Sequence, residues 1–135
     1  MVKYGERMWR LKSQNTTGLK GYRALGRKKT GELNKTESAY QQFLEKEKQE
    51  GRILDYRFEE LKLKIGEPAC WYMPDFLVIN ADREIEFHEV KGAAAIFQDD
   101  AKVKIKAAAY RNSHFIFKVV YPDKKELSGW RIQEF

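Results

Sequence analysis

An aspartate at position 75, a glutamate at 89 and a lysine at 91 fall in two neighbouring β-like stretches, as Pro74-Asp75 and Glu89-Val90-Lys91. Two carboxylates at ligand distance cannot both stay ionised cheaply unless a cation lies between them. A hard divalent cation such as Mg²⁺ (or Mn²⁺) suits an all-oxygen environment of this kind and keeps several of its waters. A lysine ammonium beside those waters can orient a nucleophilic water and offset negative charge on a phosphate. Together the three residues could carry out metal-assisted phosphodiester hydrolysis.

An acid-x-Lys pair alone says little in a chain that is 34% charged. Glu60/Lys62, Glu89/Lys91, Asp100/Lys102 and Asp123/Lys125 all match. Context separates them. Asp123/Lys125 follows Tyr121-Pro122 in a turn, and Asp100/Lys102 opens an alanine-rich helix. Glu60/Lys62 alternates with Leu61, Leu63 and Ile65 and reads as the solvated face of a strand. Glu89/Lys91 ends an apolar strand that follows, after one turn, a strand bearing an aspartate.

Residues 71–79 and 84–91 read as strands, with Asn80, Ala81, Asp82 and Arg83 as turn residues between them. Side chains at i and i+2 share a strand face, so Glu89 and Lys91 point the same way. A loop running from Ala81 to Arg83 sets Asn80 opposite Glu84 and therefore Asp75 opposite Glu89. Directly opposed Cβ atoms lie roughly 4.5–5.5 Å apart, a spacing that one cation can bridge. A loop shorter by one residue would put Asp75 opposite His88 and on the wrong face. The alternative is a surface ion pair between Asp75 and Lys91.

Pro74-Asp75 followed by Glu89-x-Lys91 across a hairpin resembles the PD-(D/E)XK nuclease superfamily. Asn34-Lys35-Thr36-Glu37-Ser38-Ala39-Tyr40 resembles the glutamate-bearing first helix of many members, resolvase-type nucleases among them. The order also resembles a family of small, largely uncharacterised phage proteins in that superfamily, which share an E-A-x-x-Y-like helix start, a P/A-D-F strand, an E-x-K-G string and a K-x-K helix. The last two are here Glu89-Val90-Lys91-Gly92 and Lys104-Ile105-Lys106, and the resemblance spans residues 34 to about 121. It implies a Mg²⁺- or Mn²⁺-dependent DNA endonuclease with Asp75, Glu89 and the Val90 carbonyl as metal ligands. Lys91 would orient the attacking water or stabilise the pentavalent phosphate, and Glu37 would bind a second metal or a water. Lys104 or Lys106 would contact phosphate. A resolvase-like homodimer acting on branched DNA is the substrate reading that follows.

Bland readings stand beside these. Glu37 lies in a first helical turn, where a carboxylate also favours the helix dipole and reaches back to cap. Gln41, one turn later, could bind a metal-bound water or a phosphate. Helical lysines usually form a solvated face; Lys102 and Lys106 lie one turn apart, with Lys104 on the other side. His88 alternates with Glu89, which points it to the opposite face and marks it as packed.

Charge is unevenly spread over the 135 residues and net +6. Residues 1–35 hold ten of the 26 Lys and Arg but two of the 20 Asp and Glu, so that segment carries +8 and the rest −2. Residues 1–33, broken by Gly18, Gly21, Gly26 and Gly31, read as a basic arm in which Arg23, Arg27, Lys28 and Lys29 would track nucleic-acid phosphates. Tyr4, Trp9 and Tyr22 could stack on unpaired bases, and a merely solubilising tail is the alternative. No apolar run approaches the ~20 residues of a membrane span. The single Cys70 allows neither an intrachain disulfide nor a cysteine zinc site, so a cytoplasmic setting is expected, with Cys70 packed as a small residue.

The remaining elements must position the three residues. Thr36 is a candidate cap for a helix running to about Glu50, which Gly51 ends. Residues 53–65 predict a strand, the hairpin supplies two more, and residues 92–98 form a small-residue loop. Asp99 or Asp100 caps a helix to about Arg111, residues 114–121 predict a strand, and residues 130–135 a last one. The expectation is an α/β domain over 34–135, with an αβββαβ core and a mixed central sheet flanked by helices. Competing functions are a non-catalytic nucleic-acid-binding protein on the same fold, or an assembly protein whose arm binds a partner.

Overall fold

A computed structural model of the chain describes residues 31–93 and 99–135. Helix α1 spans Lys35–Gln49; strands β1 to β5 span Ile53–Phe58, Leu63–Gly66, Cys70–Tyr72, Phe76–Asn80 and Ile85–Val90. Helix α2 spans Asp99–Arg111, and β6 and β7 span Ile116–Pro122 and Trp130–Glu134. The main sheet has the order β1-β4-β5-β6-β7. β1, β4 and β5 are antiparallel neighbours, α2 crosses to β6, which runs parallel to β5, and β7 returns antiparallel. This is the expected α/β core with the expected last strand, β7, and with β2–β3 set apart as a separate hairpin. Among the described residues no helix is long and apolar enough to cross a membrane.

The cap of α1 is Asn34, two residues before the expected Thr36. Asn34 Oδ1 accepts the Glu37 N–H and Glu37 Oε2 accepts the Asn34 N–H, both at 2.8 Å, a reciprocal capping box. At the other end Gly51, at φ +78°, donates its N–H to the Lys48 carbonyl while the Arg52 N–H reaches that of Glu47. That is the Schellman closure, whose left-handed residue favours glycine. Leu33, just before the cap, packs against the α1-side core, and the Gly31 N–H donates to Glu59 Oε2 at 2.7 Å.

Two expected strands are broken. Residues 53–65 form β1 and β2 in different sheets, because Glu59 takes φ +45° and turns the chain out of the main sheet. Glu60 and Lys62 therefore lie in a connection, not on a strand face. Residues 71–79 divide into β3 and β4 around Met73-Pro74-Asp75, where proline has no N–H to give to a ladder. Cys70, expected to be packed, is exposed on β3.

Side-chain alternation sorts the sheet into two cores. On one face Tyr40 and Leu44 of α1 meet Phe76, Val78, Val90 and Val120; on the other, Ile105 and Ala108 of α2 meet Phe87, Phe117, Val119 and Tyr72. Leu63 and Ile65 of the hairpin join the second cluster. Glu86 and His88 share the α1 face and are buried, so His88 is packed as the alternation requires.

A buried polar network ties α1 to the sheet. Glu86 Oε1 lies 2.8 Å from His88 Nε2 and accepts from Lys118 Nζ at 2.9 Å, while Glu86 Oε2 accepts from Asn80 Nδ2 at 2.9 Å. Burial alone would raise the Glu86 pKa, yet these donors hold it down at about 2. An ionised Glu86 makes His88 Nε2 the protonated nitrogen, which leaves Nδ1 to accept the Tyr40 hydroxyl at 2.7 Å. Burial keeps that imidazole below its ordinary pKa and therefore neutral.

Candidate active site

The β4–β5 loop has the required length. The Asn80 N–H donates to the Glu84 carbonyl and the Arg83 N–H to the Asn80 carbonyl, each at 3.0 Å. Arg83 takes φ +64°, the left-handed residue that closes such a loop. Asn80 Oδ1 also accepts the N–H groups of Asp82 and Glu84, which is why an asparagine suits the position. The ladder runs from Ile79 opposite Ile85 to Phe76 opposite His88. One further step sets Asp75 opposite Glu89, as the sequence predicts.

One more step sets Pro74 opposite Val90. Hydrogen-bonded pairs alternate in an antiparallel ladder, and counting from Asn80/Glu84 this is a bonded position. Proline cannot donate there. That leaves the Val90 carbonyl without a donor from Pro74, while the Val90 N–H donates to Asp75 Oδ2 at 2.8 Å and orients that carboxylate from the opposite strand. The Asp75 carbonyl is fixed in turn by the Glu59 N–H at 2.8 Å. On the far side of β5 the Lys91 N–H bonds the Val120 carbonyl at 2.9 Å and holds the strand end to β6.

The carboxylates repel one another. Burial first, and then the charge of Glu89, push Asp75 up to about 8, with Glu37 adding to the rise and the Val90 N–H and Lys91 opposing it. Glu37 is also raised, chiefly by burial, with Glu59 and Glu89 contributing and its bond to the Asn34 N–H opposing. Asp75, Glu89, Glu37 and Lys91 therefore share one electrostatic environment. Lys91 Nζ donates to Glu89 Oε1 at 3.0 Å and the Tyr72 hydroxyl to Glu89 Oε2 at 2.7 Å. Burial and the Glu89 charge keep the Tyr72 hydroxyl protonated.

Glu89 and Lys91 open into a cleft of about 390 Å³, with Trp71, Tyr72, Met73, Asp100, Ala101 and Lys104 completing its walls. No protein-family model, curated protein or solved structure matches the chain.

Of the expected residues, Asp75, Glu89 and Lys91 meet at the end of β5, and Lys104 faces their cleft. Lys106 is exposed and stands outside the cleft lining, and so does the half-buried Gln41. Glu37 lies close enough to feel Glu89 and Lys91, with one oxygen engaged in the helix cap. Among the described residues no three His, Cys, Asp or Glu side chains form a metal-binding group. A cation would therefore rest on the Asp75 and Glu89 carboxylates, backbone oxygen and water. Arg23, Arg27, Lys28 and Lys29 lie outside the described residues.

Sequence reasoning missed Tyr72 and Trp71. With 71–79 read as one strand, alternation sends Tyr72 to the face opposite Asp75, and only the break around Pro74 turns its hydroxyl to Glu89. Pro74 itself was the signal, since a proline within a strand run argues for an edge or an interruption.

Proposed function

We propose that the chain is a metal-dependent endonuclease that hydrolyses DNA phosphodiester bonds, a PD-(D/E)XK-type enzyme with Asp75, Glu89 and Lys91 as its catalytic set. The register that sets Asp75 opposite Glu89, with Lys91 on the same strand end, carries this reading. The upward push on Asp75 comes from burial first and then from the charge of Glu89; a divalent cation between the two carboxylates would favour their ionised forms.

Mg²⁺ or Mn²⁺ would be held by the two carboxylates and the Val90 carbonyl, whose opposite residue, Pro74, has no N–H to offer it. When bound, such a cation polarises the phosphate and makes a coordinated water more acidic. Val90 aims Asp75 through its N–H, and Tyr72 holds Glu89 Oε2 in place. Lys91 presents its ammonium to the attacking water or the developing phosphate charge. Glu37 takes a bridging water at the edge of the site. The basic segment before residue 34 supplies sequence-independent phosphate attraction, which favours recognition of DNA shape over base sequence, branched DNA included. A homodimer and a cytoplasmic setting belong to the same reading.

A non-catalytic nucleic-acid-binding role is the second reading. It is favoured by the direct Lys91–Glu89 pair, which already neutralises one carboxylate. Incubating the protein with Mg²⁺ and linear, flapped and four-way DNA decides between them. Cleavage that Asp75→Asn abolishes supports the nuclease; intact DNA, together with a Mn²⁺ titration insensitive to Asp75→Asn, would overturn it.

A further inference from the structure

Trp71 stands in the wall of the cleft that holds Glu89 and Lys91, and it is 51% exposed. A lone exposed aromatic on a protein surface needs no explanation. This one is built onto a rigid support at a candidate reaction centre. It lies on β3, paired across the hairpin with Lys64 of β2. Leu63 and Ile65 of that hairpin pack into the α2-side core, and the adjacent Tyr72 is buried. Glu67 at the hairpin turn meets Arg111 of α2 at 3.7 Å. The indole is thus presented on a fixed hairpin while its ring remains open to the cleft.

Lys104 of α2 lines the same cleft, as do Lys91 and its partner Glu89. An aromatic face and the Lys104 ammonium in one cleft match one chemical class closely: a nucleotide, base on the ring and phosphate on the cation. Base–aromatic stacking needs a free π-face, which a base inside a duplex does not offer. The cleft volume, about 390 Å³, lies in the range of small-ligand sites and would take a single nucleotide unit.

We propose that Trp71 is a stacking platform for an unpaired base adjoining the scissile phosphate, with Lys104 holding that nucleotide's phosphate. The inference rests on the nuclease reading and deepens it. The substrate is a strand that leaves the duplex at the cut site, as at a flap, a fork or a junction, and Trp71 is a specificity-determining residue.

The test uses the full chain in EDTA, so that binding is read without cleavage. Oligothymidylate and a blunt duplex of equal length are titrated against the parent protein, Trp71→Ala and Trp71→Phe, following anisotropy and tryptophan fluorescence. Oligothymidylate should quench the parent's fluorescence, and Trp71→Phe should lose the share of that quenching due to Trp71, leaving only the share of Trp9 and Trp130. Trp71→Ala should lower the ratio of single-strand to duplex affinity about five- to a hundredfold, and Trp71→Phe should restore most of it. An unchanged ratio overturns the proposal, whether both affinities hold or both fall together. If duplex DNA is still cleaved with Mg²⁺ while the ratio does not respond, the platform fails and the nuclease stands. If the ratio responds as expected while no DNA is ever cleaved, the nuclease fails and the platform remains as a binding site.

Discussion

The Tyr72 hydroxyl donates to Glu89 Oε2 at 2.7 Å, across the gap between the small hairpin and the central strand. A side chain from outside the main sheet thus sets the rotamer of a candidate ligand. Tyr72→Phe keeps the ring in the α2-side core and removes that restraint alone. Supporting hydrogen bonds of this kind are worth about 10–100-fold in metal affinity. A calorimetric Mn²⁺ titration should show such a loss with the fold retained by circular dichroism; an unchanged affinity would refute the role.

Asp75→Asn should abolish cleavage and leave the metal-free protein as stable as the parent or more so. The amide oxygen can still accept the Val90 N–H, while the repulsion from Glu89 and Glu37 disappears. Asp75→Ala is the poorer test, because it strands a backbone N–H at a cost of about 1–3 kcal/mol. Thermal melting in EDTA measures the difference, and a marked loss of stability in Asp75→Asn would make the carboxylate structural.

Lys91→Ala should reduce turnover by about a hundredfold or more while DNA affinity changes little, since its contribution grows as charge develops on the phosphate. Single-turnover cleavage and anisotropy measured on the same DNA separate the two effects. Equal losses in both would make Lys91 a ground-state phosphate contact.

Acid should destabilise the fold in two stages. His88 has its pKa lowered by burial, so the unfolded chain takes up a proton below about 6.5 while the folded one resists. The contribution of His88 is therefore full above that pH and falls below it. Glu86, held at about 2 against an ordinary 4.5, adds a second loss as the pH drops below 4.5. Tyr40, Lys118 and Asn80 are the other groups that face this pair. In an Asp75→Asn background, which removes the raised carboxyl whose own contribution runs the other way, the decline beginning near 6.5 should be present with His88 and absent in His88→Gln, leaving the fall below about pH 4.5. A decline beginning near 6.5 in that variant as well would assign the first stage to another group.

Deleting residues 1–30 should weaken DNA binding and flatten its salt dependence while leaving the metal site standing. The cut spares Leu33, which packs on the core, and the Asn34 cap. Each phosphate contact contributes ~0.9 to the slope of log affinity against log salt, so three lost contacts would lower it by about 2.7. An unchanged slope would remove the segment from the DNA interface.

The legible part of the site was the part fixed by local spacing. Asn80-Ala81-Asp82-Arg83 announces its turn chemistry, and once the loop length is set the register follows by counting. His88 could be assigned to the packed face by the same alternation. The break between β3 and β4 was passed over because the apolar run Trp71-Tyr72-Met73 resumes at Phe76, so that Pro74, the one residue that marks the break, was read inside a single strand, and Glu59's left-handed turn leaves no mark in residue type. Tyr72 and Trp71 belong to a hairpin whose place against α2 depends on Leu63 and Ile65 finding the core, a tertiary event that no short spacing encodes. The choice of Asn34 over Thr36 as cap turned on which residue could form the reciprocal pair with Glu37.

Pro74 has a consequence for how such a site could be lost. Any other residue there could offer its N–H to the Val90 carbonyl, and the β4–β5 ladder would then zip closed by one more pair. The change would delete no acid and no lysine, and a comparison of catalytic residues alone would miss it. It could even raise the melting temperature while extinguishing cation binding. The position opposite Val90 thus acts as a stop for sheet growth, and a descendant chain could fall silent there with every charged residue still in place.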